Sequence, residues 1–262
     1  MTKHLAIAAA GALAIAAAET TPALAERLVT SISRHQVMVN SSFTGTSIVL
    51  FGTIEPDTPN ARRRASAYDL VVTVTGPKQA IVERRKERVL GIWTNIGART
   101  FVNVPSYLAL LANQPFNQIA DPETVRQLQL GIDSIVLPQQ LGNDVGDTGL
   151  DDPFRANFIR LKMQHELYVQ RTNGVTLLTP TVFRAEIPLP AQAPIGNYDV
   201  DIKAFADGAP LARANSAFEI IKVGFEQFVA NASQDYGLLY GLTTAMMPIV
   251  TGWFAAVIFR RD

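Results

Sequence analysis

The sequence predicts a mainly β protein, an immunoglobulin-like β-sandwich with a central helical insertion and a C-terminal transmembrane helix. Three observations carry this. Short apolar runs alternate with turn residues in the first and last thirds of the chain, a helical period occupies the middle, and an uncharged apolar run closes it.

Residues 1–25 read as a secretory leader. Lys3 and His4 precede an apolar run, Glu19 to Pro22 follow it, and Ala23-Leu24-Ala25 supplies the small residues of a cleavage site after Ala25. That run is about 14 residues, short of the roughly 20 that span a bilayer. The exported body follows at 26–223. Its first strands are predicted at 37–39, 47–54, 70–75, 89–94 and 100–104. Glu55-Pro56-Asp57, Gly76-Pro77 and the 95–97 segment serve as turns between them.

The period then changes. Pro105 opens a predicted helix carrying Tyr107, Leu108, Leu110 and Leu111. Asp121-Pro122-Glu123 opens a second, with Val125, Leu128 and Ile132. Asp152-Pro153 opens a third. It puts Phe154, Phe158, Leu161 and His165 on one face and leaves Arg155, Lys162 and Glu166 on the wetter one. The insertion therefore runs from about 105 to 170.

Strands return at 175–178, 182–189, 198–205 and 218–223. In the third of these, Tyr198, Val200, Ile202 and Ala204 alternate with Asp199, Asp201 and Lys203, which makes one face buried and one wet. Asp207-Gly208 is a hairpin signal.

Residues 224–236, with Phe225, Phe228, Val229 and Ala232 at helical spacing, form a stalk continuous with the next helix. Residues 237–259 carry no charge, and at about 1.5 Å per residue they cover the roughly 30 Å hydrocarbon core. Asp235 precedes the run and Arg260-Arg261 follow it, so the tail 260–262 is expected to be cytoplasmic and the body periplasmic, on a single-pass protein of a bacterial inner membrane. Gly237, Gly241 and Ala245 form a small-xxx-small row that would let a partner helix approach.

Composition narrows the chemistry. With 23 basic and 23 acidic residues the chain has no charge excess to draw nucleic acid. It has no cysteine, which excludes disulfides, thiolate catalysis, Cys-based zinc sites and lipobox anchoring. Nucleophile elbows, P-loops and dinucleotide fingerprints are absent, and no cofactor is implied. His165-Glu166 begins a zincin pair, but Val169 stands where the second histidine is required. Asp144, Asp147, Asp151 and Asp152 lack calcium-loop spacing and read as a polar loop ending in a helix cap. Arg62-Arg63-Arg64 and the 83–88 run are solvated charge clusters, the former a candidate contact for a partner or anion.

Gly91-Ile92-Trp93-Thr94-Asn95, Val104-Pro105-Ser106-Tyr107 and the Gly/aromatic C-terminal span resemble the alphaproteobacterial "putative transmembrane protein" family over nearly the whole chain. The resemblance implies a membrane location and association with a permease, including the sulfite-exporter type. It supplies no catalytic residues. The expected function is a non-enzymatic, membrane-anchored periplasmic interaction or accessory module. A periplasmic metal- or small-anion-binding protein, or an envelope enzyme of unfamiliar type, is the alternative.

Overall fold

The computed structural model describes residues 26–56, 67–141 and 144–259. The leader 1–25, Arg62, Arg63 and Arg64, and the tail 260–262 lie outside the described residues.

In chain order the strands are β1 (Glu26–Ile32), β2 (Gln36–Val39), β3 (Gly45–Pro56), β4 (Asp69–Thr75), β5 (Lys78–Val89), β6 (Ile92–Pro105) and β7 (Leu108–Ala112). Two short helices follow, α1 (Phe116–Ile119) and α2 (Pro122–Gln127), then a 3-10 turn at Ile132–Ser134. Next come β8 (Pro138–Leu141), β9 (Asp144–Asp147), α3 (Pro153–Gln164), β10 (Tyr168–Arg171) and β11 (Val175–Leu177). β12 (Val182–Pro190), β13 (Gly196–Ala206) and β14 (Ala209–Lys222) complete the body, and α4 (Phe225–Asp235) and α5 (Gly237–Ile258) end the chain.

The strands form three sheets, ordered β1-β3-β12-β11, β10-β7-β4-β13-β14-β2 and β5-β6-β8-β9. The first two pack face to face. Ile48 and Leu50 of β3 and Phe183, Ala185 and Ile187 of β12 meet Leu70, Val72 and Val74 of β4 and Tyr198, Val200 and Ile202 of β13 in one core cluster. The mainly β, sandwich-like expectation holds. Alternation along β13 is as read from the sequence, and Asp207-Gly208 turns the chain into β14 with both φ angles positive, 52° and 82°. Pairing is antiparallel except for β10 on β7 and β14 on β2, which are parallel.

A second cluster makes a third layer. The opposite face of the six-stranded sheet, through Val71, Leu108, Leu110 and Phe205, packs on Phe101, Ile119, Leu130, Leu137 and Phe158. β7 is therefore buried on both faces at all five positions.

This corrects the expected helix from Pro105. An apolar run without alternation is what a doubly covered strand requires, and its spacing imitates a helical face. The insertion at 105–170 is accordingly mixed, with β7 to β10 among its helices. The helices at Asp121 and Asp152 start as expected, but the first ends at Gln127, with Leu128 at its cap and Ile132 in the 3-10 turn, and Leu161 and His165 of the second are exposed. Asp121 accepts from the N–H groups of Glu123 and Thr124, and Asp152 from that of Phe154 at 2.8 Å.

Arg155 and Lys162 are buried, against expectation, at 2% and 9% exposure. Each cation is satisfied by carbonyls. The Arg155 guanidinium donates to Asp133 O at 3.0 Å and Ile135 O at 2.6 Å, fixing the 3-10 turn to α3. The Lys162 ammonium donates to Ser106 O at 3.0 Å while lying 5.7 and 5.6 Å from the ring centres of Phe158 and Tyr168. Burial lowers the Lys162 pKa from its ordinary value.

Candidate functional site

Two elements present apolar surface that no core explains. The first is α5. None of its 22 residues is buried, and it is long and apolar enough to cross a membrane. Its three threonine hydroxyls are already satisfied. Thr243, Thr244 and Thr251 each donate at 2.8 Å to the carbonyl four residues back, which leaves fewer polar groups to be solvated in hydrocarbon. Gly237, Gly241 and Ala245 fall along one side, and a Cβ placed on either glycine would meet nothing within 4 Å. The stalk is not continuous with this helix. Tyr236, at φ −128°, separates α4 from α5.

The second element is an arm made by β5 and β6. Sequence reading placed one strand across 89–94 and a turn at 95–97. The chain instead turns at Leu90-Gly91, with φ angles of 50° and 85°, and 95–97 lies within β6, where the register shifts. Val89 pairs with Ile92 and Arg88 with Trp93, so the turn is the two-residue type with both φ positive.

The base of the arm is held to the body by Phe101, which is buried, and by Ile81. Beyond it, every residue from 84 to 96 is exposed. At about 3.4 Å per residue the exposed part projects about 20 Å.

Its end is apolar. Leu90 is 98% exposed and Trp93 68%, with Val89 and Ile92 beside them. Its shaft is basic. Arg84, Arg85, Lys86 and Arg88 stand against one carboxylate, Glu87, which pairs with Arg85 at 2.7 Å, in a chain whose net charge is zero. The cations lie on β5 and most of the apolar groups at the turn or on β6.

Where the arm meets the body, Glu83 has one carboxylate oxygen buried without a hydrogen-bond partner. Burial, reinforced by the charge of Asp152 and opposed by Arg160, pushes its pKa up to about 7.

The remaining candidates are occupied in structural roles. Asp147 accepts from the N–H groups of Leu137 and Thr148, both at 2.9 Å, and Asp152 caps α3. His35 sits on the surface 3.3 Å from Ala217 O, and His165 ends α3. Among the described residues no three of His, Asp or Glu stand together as a metal would require.

One groove of about 630 Å³ runs between α3 and the β3–β12 edge past His165, Glu166 and Arg171. Another, of about 640 Å³, holds Asp201, which accepts from Arg213 at 2.6 Å and from Lys203. Asp201 is thereby spent on Lys203 and Arg213.

A β-rich body followed by one helix, among the described residues, long and apolar enough to cross a bilayer fits a single-pass type of membrane protein. The chain belongs to the alphaproteobacterial family described as "Putative transmembrane protein (Alph_Pro_TM)", which matches residues 27–261. No curated protein matches it. Among solved structures it is similar to the N-terminal domain of a Streptococcus gordonii adhesin, at 8% identity and a TM-score of 0.25, over 78% of this chain and 33% of that one. The chain thus spans about a third of that solved chain's length.

The sequence places the arm's end inside one strand at 89–94 rather than at a turn. Glycine supplied half of the usual turn pair, and leucine hid it.

Proposed function

We propose that this protein is a membrane-anchored interaction module, held in the bacterial inner membrane by α5 with its β body on the periplasmic side, that works on a neighbouring membrane component through the β5–β6 arm. The observation that carries the proposal is the pairing, in one chain, of a fully exposed apolar helix with a projecting arm whose apolar end has no partner in the body. Asp235 before the helix and Arg260-Arg261 after it support the orientation, since cationic flanks remain cytoplasmic. Anchoring then confines the body near its membrane and raises the local concentration of any target there. Helix packing along Gly237, Gly241 and Ala245 would give an integral-membrane partner, a permease among the candidates, a second contact.

The test is topological. A reporter fused after Asp262 should be active only in its cytoplasmic form, and the full chain should stay with the membrane through alkaline extraction. A periplasmic reporter, or release by alkali, overturns the proposal.

A further inference from the structure

Leu90 occupies a position that both local conformation and hydration disfavour. At φ 50° it holds the left-handed region, where a leucine is strained and Asn, Asp or Gly is the usual occupant. It is also 98% exposed, so nothing in the body repays the strain. A soluble arm would place a polar residue at this turn.

Around Leu90 the chemistry is layered. Val89, Ile92 and Trp93 extend the apolar surface for about one residue pair on each strand. Arg88 stands level with Trp93 as its register partner, and Glu87, Lys86, Arg85 and Arg84 follow on β5, with Thr94 and Asn95 on β6. Apolar end, one tryptophan beside the first cation, cationic shaft: this is the order of a bilayer surface read from its interior outward, where acyl chains give way to the glycerol region and then to phosphates.

We infer that the arm docks on the anionic lipid surface of the membrane that holds α5, with Leu90, Ile92 and Trp93 in the boundary between headgroups and acyl chains and Arg84, Lys86 and Arg88 at lipid phosphates. The inference rests on the anchored reading above and names what the arm touches. Charge complementarity selects the occupant: the arm gathers a net charge of +3 over residues 84–96, while the rest of this neutral chain carries −3. Each such cation is attracted to an anionic leaflet, and its methylene stem can lie along the apolar end while its head stays wet.

Backbone limits the depth. Beyond the body the arm is two strands wide, and β6 pairs with β8 only at Phe101, so both outer edges carry unpaired N–H and C=O groups. Such groups are costly in hydrocarbon, and only the turn, where few remain, can enter the boundary.

The test uses the full chain reconstituted in liposomes, with Trp253→Phe leaving Trp93 as the sole tryptophan. In liposomes with a third of their lipid as phosphatidylglycerol, Trp93 emission should shift to the blue. Lipids brominated near the headgroup end of the acyl chain should quench it about two-fold, and deep-brominated lipids much less.

The shift and the quenching should be lost in pure phosphatidylcholine and at about 1 M salt, where the screening length falls to ~3 Å. They should also be lost in Leu90→Asp and in the triple variant Arg84→Gln, Lys86→Gln, Arg88→Gln. Emission at the solvent-exposed wavelength in the anionic liposomes, or equal quenching in the two lipids, overturns the inference.

A photoreactive residue at position 90 of the otherwise unaltered chain, in native membranes, supplies the second measurement. Lipid adducts support the inference. Adducts to a polypeptide overturn it while leaving the anchored module standing.

Discussion

β7 and the β5–β6 arm are both strands that break the rule of one wet and one dry face, and they break it in opposite directions. β7 is buried on both faces because a third layer covers the side of the sheet that a simple sandwich leaves to solvent. The arm is exposed on both faces because it has left every layer. The same extended backbone therefore serves as the best-protected and the least-protected segment of the body. Apolar residues hold the fold together in one and are available to something outside it in the other.

Truncation at matched positions breaks this comparison most directly. Leu110→Ala, which empties a site at 0% exposure in β7, should lower unfolding stability by about 2–5 kcal/mol, whereas Ile92→Ala in the arm should change it by less than about 0.5 kcal/mol. Denaturant unfolding of the detergent-solubilised chain measures both. Comparable losses would mean that the arm packs on something.

A smaller effect is expected at Arg155. Arg155→Met strands the carbonyls of Asp133 and Ile135 beneath the third layer and should cost about 1.5–3 kcal/mol in the same measurement.

Glu83 sharpens the comparison at the joint between the two regions. Its folded pKa, near 7, lies above the ordinary 4.5, so the folded state binds the proton more tightly than the unfolded one. The contribution is fully present below pH 4.5, is lost as pH rises toward 7, and stays lost above. Glu83→Gln should remove that part of the decline, leaving the variant more stable than the parent at pH 8 and close to it at pH 4. A parallel decline in both proteins would assign the pH dependence to other groups.

The smallest effect has an unusual sign. Leu90→Asn should raise stability by about 0.5–1 kcal/mol, because asparagine tolerates a positive φ that leucine resists. It should weaken membrane contact at the same time. A turn that trades stability for contact behaves this way, and a turn with no external contact would gain stability alone.

What could be read from the sequence was whatever depends on a few neighbouring residues. The length and charge-free composition of 237–259 mark a helix long and apolar enough to cross a membrane because bilayer thickness is a fixed external measure. Asp121 and Asp152 mark helix starts because a cap bonds N–H groups two or three residues away. Asp207-Gly208 marks a hairpin, and β13 keeps its alternation, because one face of it meets the opposing sheet along most of its length.

The tertiary structure alone decided which apolar run was covered twice, and so made a strand of Leu108–Ala112. It turned Arg155 and Lys162 inward, because the carbonyls that satisfy them come from Asp133, Ile135 and Ser106, 20 to 56 residues away along the chain. It also decided that Leu90 and Trp93 face outward, since exposure is set by what the rest of the chain leaves uncovered, and no local pattern encodes that.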